Sequence, residues 1–218
     1  MENLYKGINY NYTSHDEMCR IHTMSNWRSI KPLASLTESA AKNAVANFTK
    51  FAFVRNPLER LVSTWHDKFG PDGMYSSVNY VSYSKDIRKF RHNISKDELE
   101  KPGPASLEEF FRYLVAHKSS IEDFNIHWRP MAYFCAFDHI DYDFIGELDN
   151  LACEIDFIVR HSPTLTNIIK IPEYSHPYKK KNKHEELLKV PHDLIRAVAE
   201  IYREDFEIFG YQLPENKK

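Results

Sequence analysis

Glycine is scarce in this chain. There are 6 in 218 residues, and only Gly7, in LYKGINYN, precedes Arg55. No strand-like run leads into Gly7, so Lys6-Gly7 makes a poor phosphate-cradling loop. Cysteine is scarce too: Cys19, Cys135 and Cys153 do not make the framework of a small disulfide-rich protein. One pair plus a free thiol, with Cys135–Cys153 as a candidate, and three reduced, mostly buried thiols both remain open. No apolar run reaches the roughly 18 residues of a membrane-spanning helix. The opening MENLYKGINYNYTSHDE has no apolar stretch of the signal-peptide kind. A net charge of −2 argues against a general nucleic-acid binder, which would usually be strongly basic. His15, Cys19 and His22 are irregularly spaced and have no fourth ligand nearby, so no metal is expected.

What is present fits one globular domain. Hydrophobic residues make up 42% and charged residues 28%, ordinary values for a packed core with a solvated surface. The 14% aromatic share suits a Tyr- and Phe-rich core, or a sugar-binding cleft. Residues 1–31 are polar with weak periodicity and read as loop or poorly ordered. The domain is expected over 32–211, with 212–218 a tail. Leu36 to Phe48 reads as a helix capped by Thr37, with Ala40, Ala41, Ala44 and Val45 packed inward. Gly70 to Pro104 reads as a long surface excursion. Ser106-Leu107-Glu108-Glu109 is a capping-box pattern opening a helix to about His117. A helix is expected to start within His127 to Cys135, and a short buried strand over Tyr142 to Gly146. Asn150 to Val159 reads as a helix with Leu151, Ile155, Phe157 and Ile158 at core positions. Tyr174 to His184 is a basic loop with Lys179, Lys180, Lys181 and Lys183, and either a solvated loop or an anion contact fits it. Asp193 to Phe209 reads as one amphipathic helix closed by Gly210. Strands alternating with helices imply an α/β fold with a mainly parallel sheet.

The richest stretch is FAFVRNPLERLVSTWHDKF, Phe51 to Phe69. A β-prone run from Phe48 to Val54 ends in Arg55-Asn56-Pro57, and a helical pattern starts at once. Leu58, Leu61, Val62, Trp65 and Phe69 share one helix face, and Pro57 suits a first helical turn. Arg55 therefore stands at the carboxyl end of a strand, where open α/β sheets bind ligands. Arg60 and Ser63 lie off the apolar stripe. An Arg and a hydroxyl beside a helix start suit a phosphate. The structural alternatives are an ion pair for Arg55, a surface hydroxyl for Ser63 and a helix-bridging contact for Arg60.

This string resembles the 3′-phosphate motif Arg-Asp-Pro-x-x-Arg-Leu-x-Ser of the Golgi carbohydrate sulfotransferases, the group of the chondroitin 4-O-, dermatan and HNK-1 enzymes. Asn56 stands where that motif has Asp. HWRPMAYFC (His127–Cys135), IDYDFIGELDNL (Ile140–Leu151) and YREDFEIFGY (Tyr202–Tyr211) resemble further blocks of the family in the same order. The resemblance spans roughly Pro32 to Tyr211. It implies a P-loop-kinase-like sulfotransferase fold and transfer of a sulfuryl group from 3′-phosphoadenosine-5′-phosphosulfate (PAPS) to a glycan hydroxyl, with chondroitin-type chains the leading acceptor. It also implies a Golgi setting, to which three sequons at Asn11, Asn47 and Asn93 add little weight; a glycan is not expected to fit at Asn47, at the start of a strand. Arg55 and Ser63 would hold the 3′-phosphate, with Arg60 as a further cofactor-binding position. His127 is the candidate base; His66 and Asp67 are weaker ones. The family's Pro-Lys-x-Gly-Cys-Thr loop for the 5′-phosphosulfate has no match here, so the first strand and its loop are expected to be missing. A catalytically inactive relative that binds nucleotide or glycan without turnover is the alternative.

Overall fold

A computed structural model describes residues 33–161 and 183–214. The helices are α1 (Glu38–Asn47), α2 (Pro57–Lys68), α3 (Val81–Arg88), α4 (Lys96–Glu100), α5 (Leu107–Ala116), α6 (Met131–Phe134), α7 (Leu151–His161), α8 (Lys183–Leu188), α9 (His192–Ile201) and α10 (Arg203–Ile208). Strands β1 (Phe51–Val54) and β2 (Phe144–Glu147) pair in a two-stranded sheet. The Lys50 carbonyl accepts the Asp143 and Phe144 amides at one end, and Arg55 meets Asp149 at the other. Both strands therefore advance together, and the pair is parallel. The fold is mixed α/β. The N-terminal segment 1–31, with its sequon at Asn11 and its His15, Cys19 and His22, lies outside the described residues, as do Lys179, Lys180 and Lys181.

The chain forms two compact units. One comprises Met1–Ala52, Ile140–Gly146 and Asn150–Tyr174; the other comprises Phe53–His139, Glu147–Asp149 and Ser175–Lys218. In the first, Thr37 caps α1 by accepting from the Ala40 amide. Yet α1 buries none of its residues: its alanines favour helix without covering a core. Asn47 ends this exposed helix, rather than opening a strand. Asp143 binds Lys50 twice, at the backbone amide (2.7 Å) and at Nζ (3.0 Å). These bonds, the amide first, hold the Asp143 carboxyl below its ordinary value. On α7, Ile158 and Val159 are buried, whereas Phe157 is exposed and stacks on Phe144. Strand β2 buries only Gly146 of its four residues, so the expected buried strand is largely half-exposed. Cys135, in the other unit, and Cys153 are free thiols.

The second unit holds the main core. Leu58, Leu61, Val62, Trp65 and Phe69 are buried as their spacing predicts. Trp128 sits at the centre, with edge contacts to Phe69 (5.7 Å), Tyr83 (5.0 Å) and Phe110 (6.0 Å). Such pairs add to the apolar area each ring removes from water. The 70–104 excursion is not a bare loop, since it carries α3 and α4. Ser84, Ile87 and Arg88 form the buried face of α3, and Tyr80 is buried just before it. Two of these are polar, which conceals the helical period in sequence. Both find partners in place: Ser84 donates to the Gly103 carbonyl (2.7 Å), and the two terminal nitrogens of Arg88 donate to those of Lys101 and Glu98 (both 2.6 Å). Gly103 allows this approach, since a Cβ there would lie 3.2 Å from the Arg88 guanidinium carbon.

The expected C-terminal helix is two, α9 and α10, broken at Tyr202. Tertiary bonds override the periodicity. Tyr202 is fully buried and donates its hydroxyl to the Trp128 carbonyl. Asp205 is buried and accepts the amides of Met131 (2.8 Å) and Ala132 (2.7 Å). It thereby supplies from α10 the side-chain cap that Pro130 cannot give α6. Gly210, at φ +71°, ends α10 in the left-handed region. The Tyr211 amide returns to the Phe206 carbonyl (3.0 Å). Replacing Tyr202 with Phe removes the donor to a buried carbonyl. The expected cost is about 1–3 kcal/mol in urea unfolding; an unchanged midpoint would show that the bond carries no stability.

Candidate functional site

Helix α2 begins at the end of β1 because Asn56 caps it. Its side-chain oxygen accepts the amides of Leu58 (3.0 Å) and Glu59 (3.3 Å), and Pro57 occupies the first turn. Asn thus does the capping work of the usual Asp without the charge. These two amides are already bound, so the helix start offers less to an anion than its sequence implies; the side chains beside it carry the site.

Arg55 and Ser63 come together here. Arg55 Nη1 donates to Ser63 Oγ at 3.3 Å, and the Arg55 side chain is only 11% exposed. Arg55, though not Ser63, lines a pocket of about 220 Å³ together with Val54, Asn56, Glu59, Glu147, Asp149 and Tyr211. Sequence reading did not bring Glu59, Glu147, Asp149 and Tyr211 to this site. The available signal was that three of them fall within motif blocks: Glu147 and Asp149 in IDYDFIGELDNL, and Tyr211 in YREDFEIFGY. Asp149 Oδ1 lies 3.4 Å from Arg55 Nη2, and Glu59 Oε2 lies 3.5 Å from Arg55 Nε. The Tyr211 phenol is pushed well above its ordinary range, first by burial and then by Glu147, Asp149 and Glu59.

Arg60 does not line this pocket. It donates to the carbonyls of Arg129 (2.7 Å) and Ile126 (3.0 Å), and burial pushes its guanidinium below its ordinary value. Thr64, one turn further along α2, donates to the His127 carbonyl (3.0 Å). Together with Tyr202, these bonds fix the backbone of residues 126–129. The His127 ring is half-buried beside Tyr80, with centroids 6.1 Å apart. His127 is not among the residues lining the Arg55 pocket. His66 packs on Trp65 (4.5 Å), and Asp67 pairs with Lys68 (2.7 Å). No cluster able to hold a metal ion occurs among the described residues.

Arg60→Met keeps the aliphatic stem but strands two carbonyls. With the Ile126 carbonyl open to water, unfolding free energy is expected to fall by about 1–2 kcal/mol in denaturant. A variant as stable as the parent would mean that segment 126–129 is held by its other bonds.

The Sulfotransferase family model matches residues 2–212. Carbohydrate sulfotransferase 14 of Danio rerio is 31% identical over 186 residues, covering 84% of this chain and 49% of that protein. Carbohydrate sulfotransferase 11 of Rattus norvegicus is 28% identical over 193 residues, covering 87% and 54%. Carbohydrate sulfotransferase 8 of Mus musculus is 27% identical over 210 residues, covering 88% and 47%. The chain spans about half the length of the curated relatives it matches. No solved structure matches it significantly. With a family match along nearly its whole length, the chain belongs to the Sulfotransferase family.

Proposed function

We propose that this chain transfers a sulfuryl group from PAPS to a hydroxyl of a glycan, with chondroitin-type chains as the leading acceptor class. The observation that carries the reading is Arg55, which follows β1, lines an open pocket and bonds Ser63 of α2. A planar guanidinium and a hydroxyl converging on one point suit a phosphate. Arg55 and Ser63 would grip the donor's 3′-phosphate, which identifies the nucleotide. Arg60 takes an indirect part, holding the backbone that carries His127. His127 would receive the acceptor hydroxyl's proton as that oxygen bonds to sulfur and the sulfur–oxygen bond to the 5′-phosphate breaks. The donor supplies the activated sulfuryl group, and no metal is required. The reading assigns no described residue to the 5′-phosphosulfate.

The names of the relatives, all carbohydrate sulfotransferases, support the glycan acceptor. A P-loop-kinase-like architecture over 32–211 and a Golgi lumenal setting complete the proposal. Asn93, within its Asn-Ile-Ser sequon, is exposed at φ +55° in a turn, which leaves room for a glycan in that compartment.

Arg55→Ala is expected to weaken binding of adenosine 3′,5′-bisphosphate by roughly 100-fold in calorimetry, from the loss of two charge-assisted bonds. Unchanged affinity would overturn the phosphate assignment. His127→Gln is expected to lower sulfate transfer by about 10²–10⁴-fold, with nucleotide affinity retained. Full turnover in that variant would remove His127 from the chemistry.

A further inference from the structure

The Arg55 guanidinium already has two anionic neighbours, and it is poorly satisfied by both. The contacts to Asp149 and Glu59, at 3.4 and 3.5 Å, are longer than the roughly 2.7–2.9 Å of a good charge-assisted bond. Arg55 Nε is buried with no hydrogen-bond partner among the described residues. A guanidinium offers five N–H donors in a fixed fork, and these two contacts use that fork badly. Exposure is also uneven. The Arg55 side chain is 11% exposed, whereas those of Asp149 and Glu59 are 39% and 38% exposed. The cation is set into the wall, while the carboxylates stand at the solvent edge, where a displaced carboxylate regains water.

Glu147 adds a third carboxylate to the same lining. Three acids against one Arg leave the pocket negative, and the upward push of these acids on the Tyr211 phenol agrees with that sign. An entering phosphate therefore meets repulsion as well as the Arg55 fork.

We infer that Asp149, seconded by Glu59, is an intramolecular competitor for Arg55: it occupies the guanidinium in the free protein and sets the affinity for 3′-phosphorylated nucleotides. The inference rests on the phosphate role proposed above for Arg55. The phosphate must displace the Asp149 carboxylate before it can engage the full fork, so the strength of the Arg55–Asp149 contact is subtracted from nucleotide affinity. Neutralising Asp149 should tighten binding, the opposite of what removing a ligand-contacting or purely structural residue would do.

The test is calorimetric titration of wild type, Asp149→Asn and Arg55→Ala with adenosine 3′,5′-bisphosphate and with adenosine 5′-monophosphate. Asp149→Asn is expected to bind the bisphosphate about five-fold more tightly, the scale of one partly exposed ion pair plus the relieved repulsion. Its affinity for the monophosphate should not change, because the gain requires a 3′-phosphate. If Arg55→Ala loses the bisphosphate while Asp149→Asn binds it no better than wild type, the competitor role is overturned and the phosphate reading stands. If Arg55→Ala binds the bisphosphate as wild type does, the phosphate reading fails and the competitor role falls with it. Glu59→Gln addresses the same guanidinium from α2. Should Asp149→Asn not fold, a tighter bisphosphate complex in Glu59→Gln supports the inference, and an equal or weaker one overturns it.

Discussion

Burying Trp128 obliges the protein to satisfy the backbone that comes with it, and much of the second unit is arranged around that constraint. An unpaired buried carbonyl costs about 1–3 kcal/mol, so the buried Trp128 carbonyl needs a donor, and the more accessible carbonyls of Ile126, His127 and Arg129 beside it are bonded as well. They receive Arg60 at Ile126 and Arg129, Thr64 at His127, and the Tyr202 hydroxyl at Trp128. Asp205 then takes the two amides that follow, at Met131 and Ala132. The first, second and last motif blocks of the sequence are thus three sides of one bracket. Helix α2 grips the 126–129 backbone from one side, and residues of and beside α10 close it from the other.

The same helix accounts for the site. Its apolar face, from Leu58 to Phe69, is buried in the core, which fixes its axis. Its first turn, capped by Asn56, holds the end of β1, and Arg55 lies there beside Ser63. One helix thereby couples core packing, support for the His127 segment and presentation of the guanidinium. The left-handed Gly210 lets the chain turn after α10, which brings Tyr211 into the pocket lining. The pocket is polar and acidic at its rim, so its affinity for an anion is a balance between the Arg55 fork and the carboxylates around it.

Features governed by near neighbours were legible in the sequence. The strand–turn–helix at Arg55, the Thr37 and Ser106 caps and the Gly210 stop all follow from residues a few positions apart. What was hidden depends on distant partners or on polar burial. Helix α3 escaped notice because Ser84 and Arg88 read as solvent-facing until the carbonyls of residues 98–103 are placed against them. The break at Tyr202 follows from bonds to residues more than seventy positions away. Helix α1 showed the reverse error: alanine-rich sequence gave the helix correctly but no buried face. Arg55 and Ser63 were found together because they lie eight positions apart across one turn and helix start, whereas Glu147 and Asp149 reach Arg55 through the pairing of β1 with β2.

The most direct test is a crystal structure of the protein with adenosine 3′,5′-bisphosphate. The account predicts a 3′-phosphate accepting hydrogen bonds from the Arg55 guanidinium and the Ser63 hydroxyl, with the Asp149 carboxylate moved away from Arg55. A nucleotide bound elsewhere, with Arg55 still paired to Asp149 and Glu59, would contradict it.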